Sequence, residues 1–145
     1  MIVDMHSHIH DASFDGDRAE VLARAAAVGV TRVLAMGEGP ADNRQVLMVA
    51  AMHEEVLPCL GLHPDFVARD GALKDTESIL AEVEEQIRRH SLDLLAIGEV
   101  GLDYWVAKEP EQRQAQRRVL RSRVQLSTEM GLPLSLHSRS AGHHT

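Results

Sequence analysis

The sequence has little cysteine, little positive charge and no long apolar run. A single cysteine, Cys59, stands among 145 residues, which excludes an internal disulfide and fits a reducing, cytoplasmic compartment. Lys and Arg total 15 against 22 Asp and Glu, a formal net charge of -7 with His neutral. A protein that holds nucleic acid by a broad electrostatic footprint carries the opposite sign. The arginines at Arg113, Arg117, Arg118, Arg121 and Arg123 scatter around a helix and are expected on its solvated face. Every apolar run is broken by polar residues well short of a membrane span, so no membrane contact is expected. The opening MIVDMHSH has no basic stretch and an acid at Asp4, unlike a signal peptide.

What is present is a rhythm. With 44% hydrophobic and 26% charged residues, the composition suits one globular domain, without repeats or long linkers. Short apolar runs alternate with amphipathic segments. Strands are expected at 1–8, 31–37, 55–63, 93–99 and 132–137. "TRVLAMG", "EVLPCLG" and "LDLLAIG" are almost continuously apolar, as in parallel strands buried on both faces. Helices are expected after Asp15 or Asp17, which can cap the first, with Gly29 ending it. Further helices fall at 41–53, at 75–90 with the stripe Ile79, Leu80, Val83 and Ile87, and from Pro110 to Gly131. Such alternation means an α/β protein, either a doubly wound open sheet or a (β/α)8 barrel.

The chemistry gathers at strand ends. His6 and His8 share a strand face, about 6.5–7 Å apart along the chain, at the edge where both architectures place their sites. The third strand is expected to end at His63, the fourth at Glu99 on the face of Leu95 and Ile97, and the fifth at His137. Imidazoles and a carboxylate meeting at one rim suit zinc, manganese or iron, and Glu99 has two oxygens with which to bridge two ions. Asp4, one layer deeper, is placed to hydrogen-bond a ligand from behind. Asp103 belongs to a glycine-bearing turn, where it either fixes the loop or faces the site. Arg139 is near the rim, where a guanidinium grips phosphate. Cys59 is expected as an inert buried thiol beneath His63. His10 is read as loop, His53 and His90 as helix ends, and no role falls to His143 or His144.

These residues stand in "IVDMHSHIH", "LPCLGLHP", "LLAIGEVGLDY", "EQRQAQRRVL" and "LPLSLHSRSAG". In that order and spacing the sequence resembles the TatD family of metal-dependent hydrolases along essentially its whole length. The resemblance implies a (β/α)8 TIM-type barrel with two divalent ions (zinc, manganese or magnesium) and hydrolysis of phosphodiester bonds, typically in DNA, by water that the ions activate. It further implies that His6 and His8 bind one ion, the catalytic Glu99 bridges, His137 binds the second, and His63 and Arg139 lie on the substrate side. Met5 replaces the family's usual small residue, and His143 stands where an acid often follows "HSR". The family's further metal-binding histidine and its "ETD" aspartate are missing. A closed barrel takes about 250 residues. The sequence therefore reads as a single, truncated domain, the N-terminal portion of a barrel with five strands and four helices, whose open sheet edge invites self-association. Two other readings stay open: an amidohydrolase-like enzyme on a small amide or ester, and a catalytically incomplete metal-binding fragment.

Overall fold

The Val-, Ile- and Leu-rich runs form five strands: β1 (Ile2–Ser7), β2 (Val30–Met36), β3 (Val56–Leu60), β4 (Ala96–Asp103) and β5 (Leu134–Arg139). Between them lie α1 (Arg18–Ala27), α2 (Pro40–Met52), α3 (Pro64–Ala68), α4 (Ala72–Arg89) and α5 (Pro110–Met130), with a 3-10 turn at Ala12–Phe14. The computed structural model describes residues 1–68 and 72–144. Helix α5 begins with Pro110 behind a reciprocal cap of Glu109 and Gln112, and ends at Gly131, whose φ of 66° is cheap only for glycine. Asp17 occupies the cap position of α1 without bonding there, while Asp15 pairs with Arg18 at 2.7 Å.

The sheet decides between the two architectures. All four strand pairings are parallel, and the order is β1-β2-β3-β4-β5. A doubly wound sheet reverses its order at a switch point. Strictly sequential neighbours instead make a barrel wall. The sheet is a curled half-barrel, the five-strand portion of a (β/α)8 fold.

Alternation along the strands separates two apolar layers. Towards the helices, Val33, Ala35, Val56, Leu60, Ile97 and Val100 pack with Leu22, Val46, Val49, Val83, Ile87, Val119 and Leu126. Each large side chain buried this fully contributes about 1.5–3 kcal/mol. On the other face Leu34, Met36, Cys59 and Ala96 form a smaller cluster. Strand β4 is buried throughout, as its apolar run demands, but every residue of β1 and β5 is exposed or half-buried. Burial on both faces therefore fails at the sheet's two edges.

Several boundaries also move. Strand β3 stops at Leu60, so His63 stands beyond it, just before the short helix α3 that the sequence pattern did not announce. Strand β4 runs on to Asp103, which is its last residue and not part of a turn. Two bulges matter more. Asp4 and Ser7 on β1 pair with Val33 and Ala35, and Ile97 and Val100 on β4 pair with Leu134 and Leu136. Each interval holds one extra residue on the first strand, and an extra residue re-aims the side chains around it. Ile97 consequently packs in the helix-facing core while Glu99 turns to the rim. The expectation that they share a face is overturned.

The arginine run is not uniformly solvated. Arg123 is fully buried between α5 and α4, where it donates to Glu84 at 3.3 Å and to Ser122 at 3.1 Å. Burial depresses its pKa, and the charge of Glu84 only partly offsets this. Arg113 and Arg117 lie over the Tyr104 ring, at 4.8 and 5.9 Å from its centre. Only Arg118 and Arg121 project as a solvated face requires.

Candidate metal centre

The carboxyl end of the sheet gathers side chains from β1, from the loop after β3, and from β4 and β5. Glu99, only 5% exposed, lies at the centre. Its Oε2 is 3.2 Å from Nε2 of His6 and 3.8 Å from Nε2 of His8. The other oxygen, Oε1, is 2.6 Å from Nδ1 of His137 and 3.6 Å from Nε2 of His63. The donor atoms thus form two groups of three, His6–His8–Glu99 and His63–Glu99–His137, that share the carboxylate. His8 stands one residue past β1, yet its ring centre is 5.3 Å from that of His6, so the two imidazoles converge.

The tautomers follow from the surrounding hydrogen bonds. Nε2 of His137 is 3.2 Å from Oδ2 of the wholly buried Asp103. A carboxylate in that position accepts a hydrogen bond from the ring, which keeps the proton on Nε2 and leaves Nδ1 with its lone pair. That lone pair then faces Oε1 of Glu99 at 2.6 Å, a separation that only a shared cation or proton makes favourable. Nδ1 of His63 accepts the backbone N–H of Asp65 at 3.1 Å. The neutral His63 ring therefore carries its proton on Nε2, the atom facing His137 at 3.2 Å. Burial lowers the His63 pKa; Glu99 opposes this without reversing it, and His137 reinforces it. Neutral imidazole nitrogens and a buried carboxylate are a donor set that could hold a divalent metal ion.

Around this cluster the structure places the remaining residues. Asp4 accepts the backbone N–H of His6 at 3.1 Å, so it braces the main chain and not a ring. Asp103 binds both Nε and Nη2 of Arg139, at 3.2 and 3.0 Å, and the arginine keeps 52% of its side chain exposed. Burial raises the Asp103 pKa, but Arg139, the backbone N–H of Val106 and His137 outweigh it and hold the carboxyl below its ordinary range. Cys59 is buried without solvent access, and burial pushes its thiol up to about 11, as an inert thiol requires.

Four polar residues escaped the sequence pattern. His10 is buried, with Nε2 at 3.0 Å from Oδ1 of Asp42, whose other oxygen accepts the Glu38 N–H at 2.8 Å. Asn43, fully buried on α2, both accepts from Gly61 N and donates to Gly61 O at 3.1 Å, pinning the chain just past β3. Gln116 on α5 accepts the Asp103 N–H at 2.9 Å and donates to Pro64 O at 2.9 Å, tying β4 to α3. Gln116 stands inside "EQRQAQRRVL", and that motif was the only sign of it. His53 and His90 close α2 and α4 through backbone bonds, away from the rim.

Residues 3–145 match the family model described as TatD related DNase. Human deoxyribonuclease TATDN3 is 37% identical over 152 residues, which cover 99% of this chain and 54% of the relative. The 3'-5' ssDNA/RNA exonuclease TatD of Enterobacter lignolyticus is 29% identical over 140 residues, 95% of this chain and 50% of the relative. The crystal structure of YjjV, a TatD homologue from Escherichia coli K12, superposes with a TM-score of 0.84 at 27% identity, covering 98% of this chain and 52% of that one. YjjV carries the name metal-dependent hydrolase. The chain spans about half the length of these relatives. The family model spans nearly the whole chain and the fold agrees, and the chain belongs to the TatD-related DNase family.

Proposed function

We propose that this rim binds two divalent ions and that the protein hydrolyses phosphodiester bonds of DNA, chiefly at single-stranded or frayed ends. The observation that carries the reading is the division of Glu99, with Oε2 on the β1 histidines and Oε1 on His137. His6 and His8 hold the first ion, His137 the second, and Glu99 bridges them as the catalytic carboxylate. Zinc, manganese or magnesium bound there supplies Lewis acidity and neutralises charge on the phosphoryl group. His63, with its proton on Nε2, donates to a phosphoryl oxygen from the substrate side. Arg139 grips the phosphate there while Asp103 holds it in place. Asp103 also fixes the ring of His137, so one buried acid aligns both a ligand and a substrate contact. Relatives named deoxyribonuclease, ssDNA/RNA exonuclease and metal-dependent hydrolase support this assignment. The lone, buried Cys59 fits a cytoplasmic setting. Among the described residues no helix is long and apolar enough to cross a membrane.

The test is degradation of single-stranded DNA with added manganese or magnesium, run beside metal analysis of the protein. His137→Ala and Glu99→Ala are each expected to lower the rate by at least about 100-fold, since even residues that only support a metal ligand cost 10–100-fold. Equal activity in all three proteins defeats the assignment. Bound metal without turnover keeps the centre and removes the hydrolase.

A further inference from the structure

The chain holds one Trp, one Tyr and two Phe. Tyr104 is buried, and Phe14 and Phe66 pack against the helix-side core. Trp105 alone is left 62% exposed. A single exposed apolar side chain is ordinary on a protein surface, but the position of this one is not. Trp105 follows the last residue of β4 by two, so its backbone lies within about 7 Å of Asp103. Its N–H donates to Oδ1 of Asp103 at 2.9 Å, and Val106 N–H does so at 3.2 Å. The carboxylate that aligns His137 and Arg139 therefore also fixes the loop bearing the indole. From its far side that loop is held by Arg113, which donates to Ala107 O at 2.9 Å. The exposed ring thus stands on a tethered segment at the rim of the candidate metal centre. Nζ of Lys108 lies over the ring, 4.9 Å from its centre, which places a cation on one face of the indole.

An exposed aromatic face with an adjacent ammonium is the pairing that receives a nucleobase and its phosphate in single-stranded nucleic acid. We propose that Trp105 and Lys108 form a base-stacking platform that seats a nucleotide next to the scissile linkage. The inference rests on the phosphodiester reading of the rim and adds a substrate contact to it. It also explains how an acidic protein holds a polyanion through a small footprint: stacking is indifferent to net charge, and one local lysine takes the phosphate. Substrate preference then follows, because bases in a duplex are already stacked on each other and only unpaired ones are free for Trp105.

Trp105 is the only indole in the protein, so its emission reports this platform directly. The experiment titrates the whole protein, metal-free in EDTA at low salt, with a short oligothymidylate and with an abasic oligomer of equal length. The base-bearing strand is expected to quench Trp105, and the abasic strand is not. By anisotropy, Trp105→Ala should weaken binding of the base-bearing strand roughly ten-fold or more, the measured range for loss of one stacked base. Trp105→Phe should restore most of that affinity, and Lys108→Ala should reduce the salt slope by about one phosphate contact. Equal affinity for the two strands, or wild-type affinity in a folded Trp105→Ala, overturns the platform. Cleavage of bis(4-nitrophenyl) phosphate by the wild-type protein tests the hydrolase separately. If that diester and DNA both resist while base-dependent quenching persists, the hydrolase reading falls and base stacking on Trp105 stands without a scissile linkage beside it.

Discussion

Asp103 and Asp42 are the carboxylates through which this rim controls its histidines. Asp103 meets His137, Arg139 and two backbone N–H groups, whereas Asp42 meets the buried His10 and the Glu38 N–H. Burial raises the Asp42 pKa, but the contacts with His10 and Glu38 prevail and leave it below the ordinary 3.8. A carboxyl whose pKa falls on folding stabilises the fold above its unfolded pKa and loses that contribution as pH drops through the folded value. Asp42→Asn should therefore cost about 1 kcal/mol in urea denaturation at pH 7, the scale of a charged hydrogen bond lost to a neutral one. The difference should close as pH falls through the lowered folded pKa of Asp42, below which the wild-type residue is itself protonated. A gap that stays constant with pH contradicts this account. At this scale the sequence displays candidate ligands better than their supports. His6, His8, Glu99 and His137 stand at apolar run ends, where an ionisable residue is conspicuous. Buried polar residues such as Asn43 and Gln116 look like surface residues until their backbone partners are known, because satisfaction of a hydrogen bond is a three-dimensional property.

Among elements, the strands were readable from apolar runs, but their ends and their aim were not. Period-2 alternation assumes an unbroken ladder, and both strands that carry the central residues break it, one around His6 and one around Glu99. A bulge leaves no mark in hydropathy. Glycines supplied the missing clue, since they record where backbones come too close for a side chain. A Cβ on Gly61 would lie 2.4 Å from the Gly98 carbonyl carbon and 2.5 Å from Glu99 N. Asn43 holds Gly61 by both its N–H and its carbonyl, so β3 cannot retreat. Gly61→Ala should therefore cost about 1–3 kcal/mol, as overpacking does, and should weaken metal binding by displacing Glu99. Gly16, with nothing within 4 Å of the same added atom, provides the comparison: Gly16→Ala should stay within about 0.5 kcal/mol. Thermal melts and metal titration of both variants check this, and equal effects would disprove the close approach as the reason for glycine at Gly61.

For the whole molecule the sequential parallel order settles the barrel class, and its consequence is surface. The protein exposes 8016 Å², against about 7,400 Å² for a typical folded monomer of 16 kDa. Apolar surface stands open on the sheet's two outer strands. Ile2 is 55% exposed, Val3 37% and Met5 63% on β1, with Leu136 at 53% on β5. Each of these strands has a neighbour on one side only, leaving main-chain donors and acceptors open beside apolar side chains. Such edges pair with other strands unless charge or proline blocks them; β1 and β5 offer no proline, and their charges, Asp4 and Arg139, are engaged by the His6 N–H and by Asp103. A polypeptide of these 145 residues by itself is expected to associate through these edges, by β5 meeting β1 or by either strand meeting its own copy. Sedimentation velocity should show dimers or larger species that grow with concentration. Ile2→Lys combined with Leu136→Lys should shift the distribution towards monomer, because each lysine puts a charge on an edge that must be desolvated to pair. Unchanged sedimentation of the double variant, with its melting curve intact, rules out the edges. If association also completes the rim, metal affinity should rise with protein concentration in the wild type and lose that dependence in the variant, which ties the open edge to the chemistry at its mouth.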